Sequence, residues 1–217
     1  ATGLLEDGAT VYNLDFVKPA DESSKFISVD LSDENSVQEA FKKIEKLDAI
    51  IIAAGVQLVG SDSKIGEVTL DTWQRTIDIN LTGAFLSVKH AMPLLVKSGR
   101  GSVVLIGSPT GITMEGAGYT SYGASKAGMM GLSRIIAVDY KEDGVRSNVV
   151  VPGTMSTPLI KKIWDDPEKG PDLIRRTPLG RIGDPKDLVG IVNWLVSTES
   201  SFATGASYAV DGGMTAR

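Results

Sequence analysis

The sequence predicts an α/β protein built on a parallel, doubly wound sheet. Short β-branched or apolar segments alternate with longer helical patterns, and crossovers of this kind join parallel strands. The unbroken run Ile50–Ile52 is typical of a strand covered on both faces. At 217 residues, and with about 150 residues in a typical domain, we expect a single domain over residues 1–217.

Six strands and four main helices are predicted in alternation. The strands are Thr10–Leu14, Phe26–Val29, Ala49–Ala53, Ser102–Ile106, Arg146–Val151 and Ser207–Val210. The helices are Asp33–Lys46, Leu70–Lys97, Tyr119–Lys141 and Pro185–Ser197. Ser32 or Asp33 is expected to cap the first helix, and Asp184 followed by Pro185 is a start signal for the last.

The composition excludes several classes of site. The chain has no Cys, which excludes disulfides, thiolate zinc sites and cysteine nucleophiles. Its single histidine, His90, excludes sites with several histidine ligands, and its place in an amphipathic helical pattern indicates a structural residue. The net charge of −5 without a block of like charges argues against nucleic-acid binding. With no signal peptide and no apolar run of about 18 residues, we expect a cytoplasmic protein that binds no membrane.

One interval departs from the alternating pattern. Residues 157–184 are rich in Pro and Gly around two short amphipathic segments, Leu159–Trp164 and Asp172–Arg176. An insertion beyond a strand end is typical of a mobile substrate lid, and the apolar Ile163 and Trp164 favour that interpretation. The alternative is a solvated surface excursion.

Small, acidic and hydroxyl residues follow the predicted strands at their carboxyl ends, where open parallel sheets bind ligands. They are Asp15, Asp30, Ala54-Gly55, Gly107-Ser108 and Pro152-Gly153. A carboxylate at Asp15 can accept both ribose hydroxyls of an adenine nucleotide and would repel a 2′-phosphate, which favours NAD over NADP. The alternative for Asp15 is an ordinary turn residue.

Other strand-end residues fit the same nucleotide. Asp30 and Leu31 are candidates to hold the adenine, or else cap a loop. The turn Ala53-Ala54-Gly55 lacks bulk, so a flat ligand could lie against its backbone; close helix packing is the alternative.

Tyr122 and Lys126 carry the hypothesis about the reaction. Four residues apart on a helix, they share a face. A neighbouring ammonium favours the phenolate, so we expect Lys126 to lower the pKa of Tyr122. Ser108 could hydrogen-bond a substrate oxygen while Tyr122 moves its proton. Asn80, unfavoured inside a helical pattern, either positions a water or makes a local backbone bond.

Over nearly its whole length the chain resembles the short-chain dehydrogenase/reductase family. The resemblance rests on an ordered set: Asp15, Asp30-Leu31, Ala54-Gly55, Asn80 with Gly83, Ser108 with Gly111, the run from Tyr122 to Lys126, Pro152-Gly153 with Thr157, and residues 210–213. It implies a Rossmann-like fold with three α/β/α layers, a nicotinamide cofactor, and hydride transfer between NAD(H) and a secondary alcohol or ketone.

The resemblance also implies roles for individual residues. Tyr122 would be the acid/base, Ser108 would hold the carbonyl oxygen, Lys126 would tune Tyr122 and bind the nicotinamide ribose, and Asn80 would order a water in the proton path. The turn Pro152-Gly153, the Met155 backbone and Thr157 would hold the carboxamide. Leu159, Ile163 and Trp164 are candidates to contact a moderately apolar substrate.

Two departures from the family pattern stand out. Ile52-Ala53-Ala54-Gly55 replaces the usual Asn-Asn-Ala-Gly, so side-chain amide support for that loop is missing. The chain also begins near the middle of the family's first helix, without the first strand and its glycine-rich turn. That strand would lie between the Asp15 strand and the Ala49 strand, and we expect the native protein to carry it.

Alternatives to the dehydrogenase remain. A 3-oxoacyl-thioester reductase of the same family and a non-catalytic nucleotide-sensing relative share the motifs. An S-adenosylmethionine transferase also uses a strand-end acid, but gives no reason for Tyr122 and Lys126. The three glycines at positions 123, 128 and 131 indicate close packing against the sheet or against a second subunit. Together with the family resemblance, they lead us to expect a homo-oligomer, a tetramer or a dimer.

Overall fold

A computed structural model of the protein describes residues 1–19, 23–113, 117–160, 164–167 and 169–216, apart from the side chains of residues 159 and 169. The strands are β1 (Tyr12–Asp15), β2 (Lys25–Ser28), β3 (Ala49–Ile52), β4 (Ser102–Ile106), β5 (Arg146–Pro152) and β6 (Ser207–Val210). The helices are α1 (Thr2–Glu6), α2 (Glu34–Phe41), α3 (Leu70–Ile77), α4 (Gly83–Ser98), α5 (Thr120–Asp139), α6 (Lys169–Arg175) and α7 (Val189–Val196).

Every strand pair is parallel, but the strands form two sheets. One sheet has the order β1-β2, and the other has the order β3-β4-β5-β6. Within the described residues, β1 pairs only with β2 and β3 only with β4. The break therefore falls between the two strands that the expected additional strand would separate.

Helices cover both faces of the four-stranded sheet. Along β4, Val103 and Leu105 join the larger hydrophobic core with α2, α4 and α5. Val104 points to the opposite face, where it packs with Leu195 of α7. This alternation gives the three α/β/α layers of a Rossmann-like fold.

The long helical pattern predicted from residue 70 is continuous, but one segment of it is wider than an α-helix. Between α3 and α4, Asp78–Thr82 forms a π-helical turn. Such turns accommodate an extra residue and are frequent at functional sites. By length and composition the span Leu70–Ser98 could cross a membrane, yet half of its most apolar window is buried inside the protein, as in a core helix of a globular fold.

Capping side chains set several helix starts. Asp33 caps α2 by accepting a hydrogen bond from the Asn35 N–H at 3.0 Å. Asp184 accepts from the Lys186 N–H at 2.8 Å ahead of a 3₁₀ turn, Pro185–Leu188, that leads into α7. The predicted first helix is shorter than expected, since α2 ends at Phe41.

The interval 157–184 has its two ends tied together. Ser156 N–H donates to the Gly183 carbonyl at 2.8 Å, and Gly183 N–H donates to the Thr154 carbonyl at 2.9 Å. Between these ends lie a 3₁₀ turn, Pro158–Ile160, and α6. The interval is therefore anchored at its base, at the carboxyl end of β5.

Candidate active site

A cleft of about 560 Å³ opens at the carboxyl ends of β3, β4 and β5. This is the edge at which the sequence predicts ligand binding, and the volume is typical of small-molecule sites. Its lining includes Ala53, Gly55, Gln57, Gly107, Ser108, Thr110, Tyr119, Tyr122, Lys126, Pro152, Gly153, Met155, Thr157, Ile160, Asp172, Leu173 and Arg176.

Ser108 and Tyr122 both line this cleft, and Ser108 is near enough to the phenol to lower its pKa. Ser108 follows β4 and begins the 3₁₀ turn Pro109–Gly111. Only a glycine at position 111 lets that turn approach α5, because a Cβ there would lie 2.9 Å from the Ala127 backbone nitrogen. This close contact fixes the turn that follows Ser108 against α5.

Lys126 is almost completely buried beneath Tyr122. Its Nζ donates a hydrogen bond to the Ile106 carbonyl at 2.8 Å and lies 5.8 Å from the centre of the Tyr122 ring. Burial penalises the ammonium and lowers the pKa of Lys126 to about 8.

The expected lowering of the Tyr122 pKa by Lys126 is not found. Burial is the largest influence on the phenol, and it raises the pKa of Tyr122 above its usual value. The nearby Ser108 hydroxyl acts in the opposite direction and lowers the pKa of Tyr122, while the nearby Tyr119 raises it further. Lys126 is not among the influences on this pKa, and its Nζ donates to the Ile106 carbonyl. Because its pKa is raised, Tyr122 is a phenol at neutral pH.

Asn80 lies in the π-helical turn, fully buried. Its Oδ1 accepts from the Val56 N–H at 2.7 Å, while its Nδ2 donates to the Val56 carbonyl at 2.9 Å and to the Ser125 hydroxyl at 3.0 Å. The side chain therefore joins the loop after β3 to α5. Sequence reasoning missed Ser125, whose only signal is its place one residue before Lys126.

The candidate cofactor residues divide into two groups. Eight of them line the cleft: Ala53, Gly55, Tyr122, Lys126, Pro152, Gly153, Met155 and Thr157. Asp15, Asp30, Leu31 and Ala54 lie outside its lining. The exposed Asp15 accepts a hydrogen bond from the Val17 N–H at 3.0 Å. Asp30 accepts from the hydroxyl and the N–H of Ser32, which lowers the pKa of that carboxyl.

The substrate side of the cleft differs in part from expectation. Ile160 lines it, but Ile163 and the Leu159 side chain lie outside the described part of the chain. Trp164 is 41% exposed and does not line the cleft, because α6 forms that wall instead. There Asp172 Oδ2 accepts from Arg176 Nε at 2.7 Å. The apolar residues of the interval predicted an apolar wall, but the wall that α6 forms is more polar. No local pattern in the sequence indicates which side of α6 turns toward the cleft.

His90 lies away from the cleft, on α4, where its Nε2 is 3.3 Å from Glu34 Oε1. Among the residues that the structure describes, no cluster of three or more His, Asp or Glu side chains is placed to hold a metal ion.

Comparison with known proteins gives one consistent picture. The family model described as "Enoyl-(Acyl carrier protein) reductase" matches residues 2–215. Cis-4-hydroxycyclohexanecarboxylate dehydrogenase of Sinomonas cyclohexanicum is 33% identical, with 98% of this chain and 89% of the relative covered.

Solved structures agree over the whole chain. The aldohexose dehydrogenase of Thermoplasma acidophilum superposes with a TM-score of 0.91 at 30% identity, covering 100% of this chain and 88% of the other. A putative 2-deoxy-D-gluconate 3-dehydrogenase from Agrobacterium tumefaciens, solved with bound NADP, has a TM-score of 0.91 at 26% identity, covering 100% of this chain and 90% of the other.

Proposed function

Since this chain belongs to the short-chain dehydrogenase/reductase family of oxidoreductases, we propose that it oxidises a secondary alcohol to a ketone, or reduces the ketone, with Tyr122 as the acid/base. The observation that carries this proposal is that Ser108 and Tyr122 line one cleft, with the Nζ of the buried Lys126 5.8 Å from the centre of the Tyr122 ring. A substrate oxygen bound between Ser108 and Tyr122 would lie within reach of both hydroxyls.

The residues that line the cleft fit a nicotinamide cofactor. Small residues form its floor at the ends of β3, β4 and β5, and a buried amine lies beneath it. We propose that Pro152, Gly153, Met155 and Thr157 hold the carboxamide and that Lys126 binds the ribose. When bound, the cofactor supplies a ring carbon that accepts or gives the hydride.

The protein residues handle the proton. In ketone reduction the Tyr122 hydroxyl would give its proton to the substrate oxygen while Ser108 holds that oxygen. The raised pKa of Tyr122 suits this direction at neutral pH, because the phenol is fully protonated. Alcohol oxidation requires the phenolate, and we expect its rate to rise with pH. In this protein Asn80 would act mainly by fixing α5, since its side-chain groups are taken up by Val56 and Ser125.

We propose that the cofactor is NAD, with Asp15 accepting the ribose hydroxyls and Asp30 and Leu31 beside the adenine. The support is an exposed carboxylate at the end of β1. The Agrobacterium structure holds NADP, and the proposal of NAD for this chain rests on the charge of Asp15.

The interval 157–184 would close over the substrate. Its anchored base and its wall of Asp172, Leu173 and Arg176 support this role. The polar pair on that wall favours a substrate that carries hydroxyl or carboxylate groups, as in cis-4-hydroxycyclohexanecarboxylate.

A homo-oligomer remains our proposal. On α5, Gly128 packs against neither the sheet nor a second subunit, because a Cβ there would lie 2.7 Å from the Leu81 side chain. A Cβ on Gly131 would meet nothing within 4 Å, and Ile135 and Val138 near it are exposed. This apolar face suits a second copy of the chain, and a monomeric sedimentation profile would contradict it.

A substrate panel tests the proposed function. Cis-4-hydroxycyclohexanecarboxylate, an aldohexose, 2-deoxy-D-gluconate and a 3-oxoacyl thioester are assayed with NAD(H) and NADP(H), following nicotinamide absorbance. Turnover of one of the hydroxyl compounds supports the dehydrogenase. Turnover of the thioester alone would favour a 3-oxoacyl-thioester reductase, and cofactor binding without any turnover would favour a nucleotide sensor.

A further inference from the structure

Asp62, in the loop between β3 and α3, binds the first turn of the helix that carries Tyr122. Its Oδ2 accepts a hydrogen bond from the Tyr122 N–H at 2.9 Å, and its Oδ1 accepts from the Ser121 N–H at 3.1 Å. Next to it, the Thr120 hydroxyl donates to the Ser63 carbonyl at 2.7 Å. Three consecutive residues at the start of α5 are thus tied to a loop about 60 positions earlier in the chain.

These contacts replace a cap that α5 lacks. The first N–H groups of a helix have no partner within the helix, and the residue before the first turn usually supplies one. Here Tyr119 occupies that position and makes no capping side-chain bond. Asp62 supplies two acceptors instead, and its negative charge complements the positive end of the helix.

The same arrangement fixes the backbone of Tyr122 on both sides. Its N–H is held by Asp62, and its carbonyl accepts from the Ser125 hydroxyl at 2.7 Å. Ser125 is in turn bound by Asn80. The phenol of Tyr122 lies in the cleft that Ser108 also lines. Among the hydrogen bonds of the described residues, the only one from the Tyr122 N–H to a side chain has the Asp62 carboxylate as its acceptor.

The loop of Asp62 also reaches the mouth of the cleft. It forms one wall of a second cavity of about 350 Å³, and that cavity shares Gln57, Ala117 and Tyr119 with the main cleft. The Asp62 carboxylate therefore joins the loop that lines this second cavity to the helix that carries Tyr122.

We propose that Asp62 is a positioning residue for the reaction: it holds the start of α5 so that the Tyr122 hydroxyl stays aligned with Ser108. This inference rests on the proposed function of Tyr122. A displacement of about 1 Å at a reacting group can lower a rate roughly 100-fold, and the loss of two hydrogen bonds at this helix end permits such a displacement.

The test compares Asp62→Ala and Asp62→Asn with Asp33→Ala and Asp33→Asn. Asp33 caps α2 in the same manner but lies on a helix that contributes no residue to the cleft. We measure kcat and KM with the best substrate of the panel, normalised to folded protein, together with the thermal midpoint. For Asp62→Ala we expect kcat to fall roughly 10- to 100-fold with little change in KM. Asp62→Asn should lose less, because its amide oxygen still accepts one N–H.

The outcomes separate the inference from the proposed function. Asp33 variants should lower the thermal midpoint and keep kcat. If wild type turns over substrate, and Tyr122→Phe does not, yet both Asp62 variants keep the wild-type kcat, the positioning role is wrong. If Asp62→Ala does not fold, Asp62→Asn decides alone, with a normal kcat overturning the inference. Turnover that survives Tyr122→Phe would instead overturn the proposed function.

Discussion

The Nζ of Lys126 donates its hydrogen bond to the Ile106 carbonyl, 2.8 Å away, while the ring of Tyr122 lies over it at 5.8 Å. The Lys126 ammonium is thus hydrogen-bonded to the last residue of β4 and lies on one face of the Tyr122 ring. It is also the most costly charge in the cleft, because burial lowers its pKa from 10.5 to about 8.

Lys126 should make stability depend on pH in the alkaline range. Below pH 8 both folded and unfolded states carry the charge, and folding bears the full cost of burying it. Between pH 8 and 10.5 the folded state loses its proton first, so wild type should gain about 3 kcal/mol relative to Lys126→Met. Urea unfolding from pH 7 to 11 measures the difference, with Lys97→Met as the control for loss of an exposed lysine. A difference that stays flat across this range would contradict the cost of burial.

Asn80 should contribute to stability through its three side-chain bonds. Asn80→Leu leaves the Val56 N–H and carbonyl without their partner, and each such unsatisfied group costs about 1–3 kcal/mol. The Ser125 hydroxyl loses the bond from Asn80 but keeps its bond to the Tyr122 carbonyl. We expect a loss of about 3 kcal/mol in the free energy of unfolding, measured in urea. Asn35→Leu, at an exposed position on α2, is the matched control and should change stability little. Equal effects of the two substitutions would refute the bridging role.

Asp15 should determine cofactor choice. Like charges about 4 Å apart repel by about 1 to 4 kcal/mol at a protein surface, so Asp15→Ser should raise the kcat/KM ratio of NADP to NAD about tenfold or more. Asp139→Ser, which removes a carboxylate from the far end of α5, should leave that ratio unchanged. The account of Asp15 fails if wild type already prefers NADPH to NADH.

Gly153 should not tolerate a side chain. A Cβ there would lie 2.7 Å from the Asp211 Cα and 2.8 Å from its carbonyl oxygen, and backbone atoms cannot move aside easily. Gly153→Ala should therefore lower the free energy of unfolding by about 1–3 kcal/mol and displace one wall of the cleft. Gly66→Ala is the control, since a Cβ at that position meets nothing within 4 Å. The thermal midpoints of both variants test this prediction. Equal midpoints for Gly153→Ala and Gly66→Ala would contradict it, because they would show that the backbone at Asp211 moves aside at little cost.

Local patterns predicted the strands well. Strands β4 and β6 have the predicted bounds, Ser102–Ile106 and Ser207–Val210. The residues that follow them, Gly107 and Asp211, interrupt the apolar pattern of each strand. The π-helical turn at Asp78–Thr82 was not predicted, since one extra residue hardly alters a helical pattern of apolar residues.

Contacts between distant segments account for what the sequence could not reveal. The spacing of Tyr122 and Lys126 places them on one helical face, but the direction of Nζ depends on the Ile106 carbonyl, 20 positions earlier. The expectation that Lys126 lowers the pKa of Tyr122 was wrong for that reason, and because burial has the largest effect on that pKa and raises it. Likewise, Asp62 reaches α5 across 59 and 60 positions, a relationship with no local signal. The side of α6 that faces the cleft has no local signal in the sequence either.

The central claim, that Tyr122 moves the proton, is tested most directly by comparing Tyr122→Phe with Tyr140→Phe. Both changes remove one phenolic hydroxyl from α5 or its C-terminal cap, but Tyr140 packs against the hydrophobic core away from the cleft. With the best substrate of the panel, Tyr122→Phe should lower kcat roughly 10²- to 10⁴-fold while NADH binding, followed by fluorescence, persists. Tyr140→Phe should keep its turnover. A Tyr122→Phe enzyme that works at the wild-type rate would contradict the account.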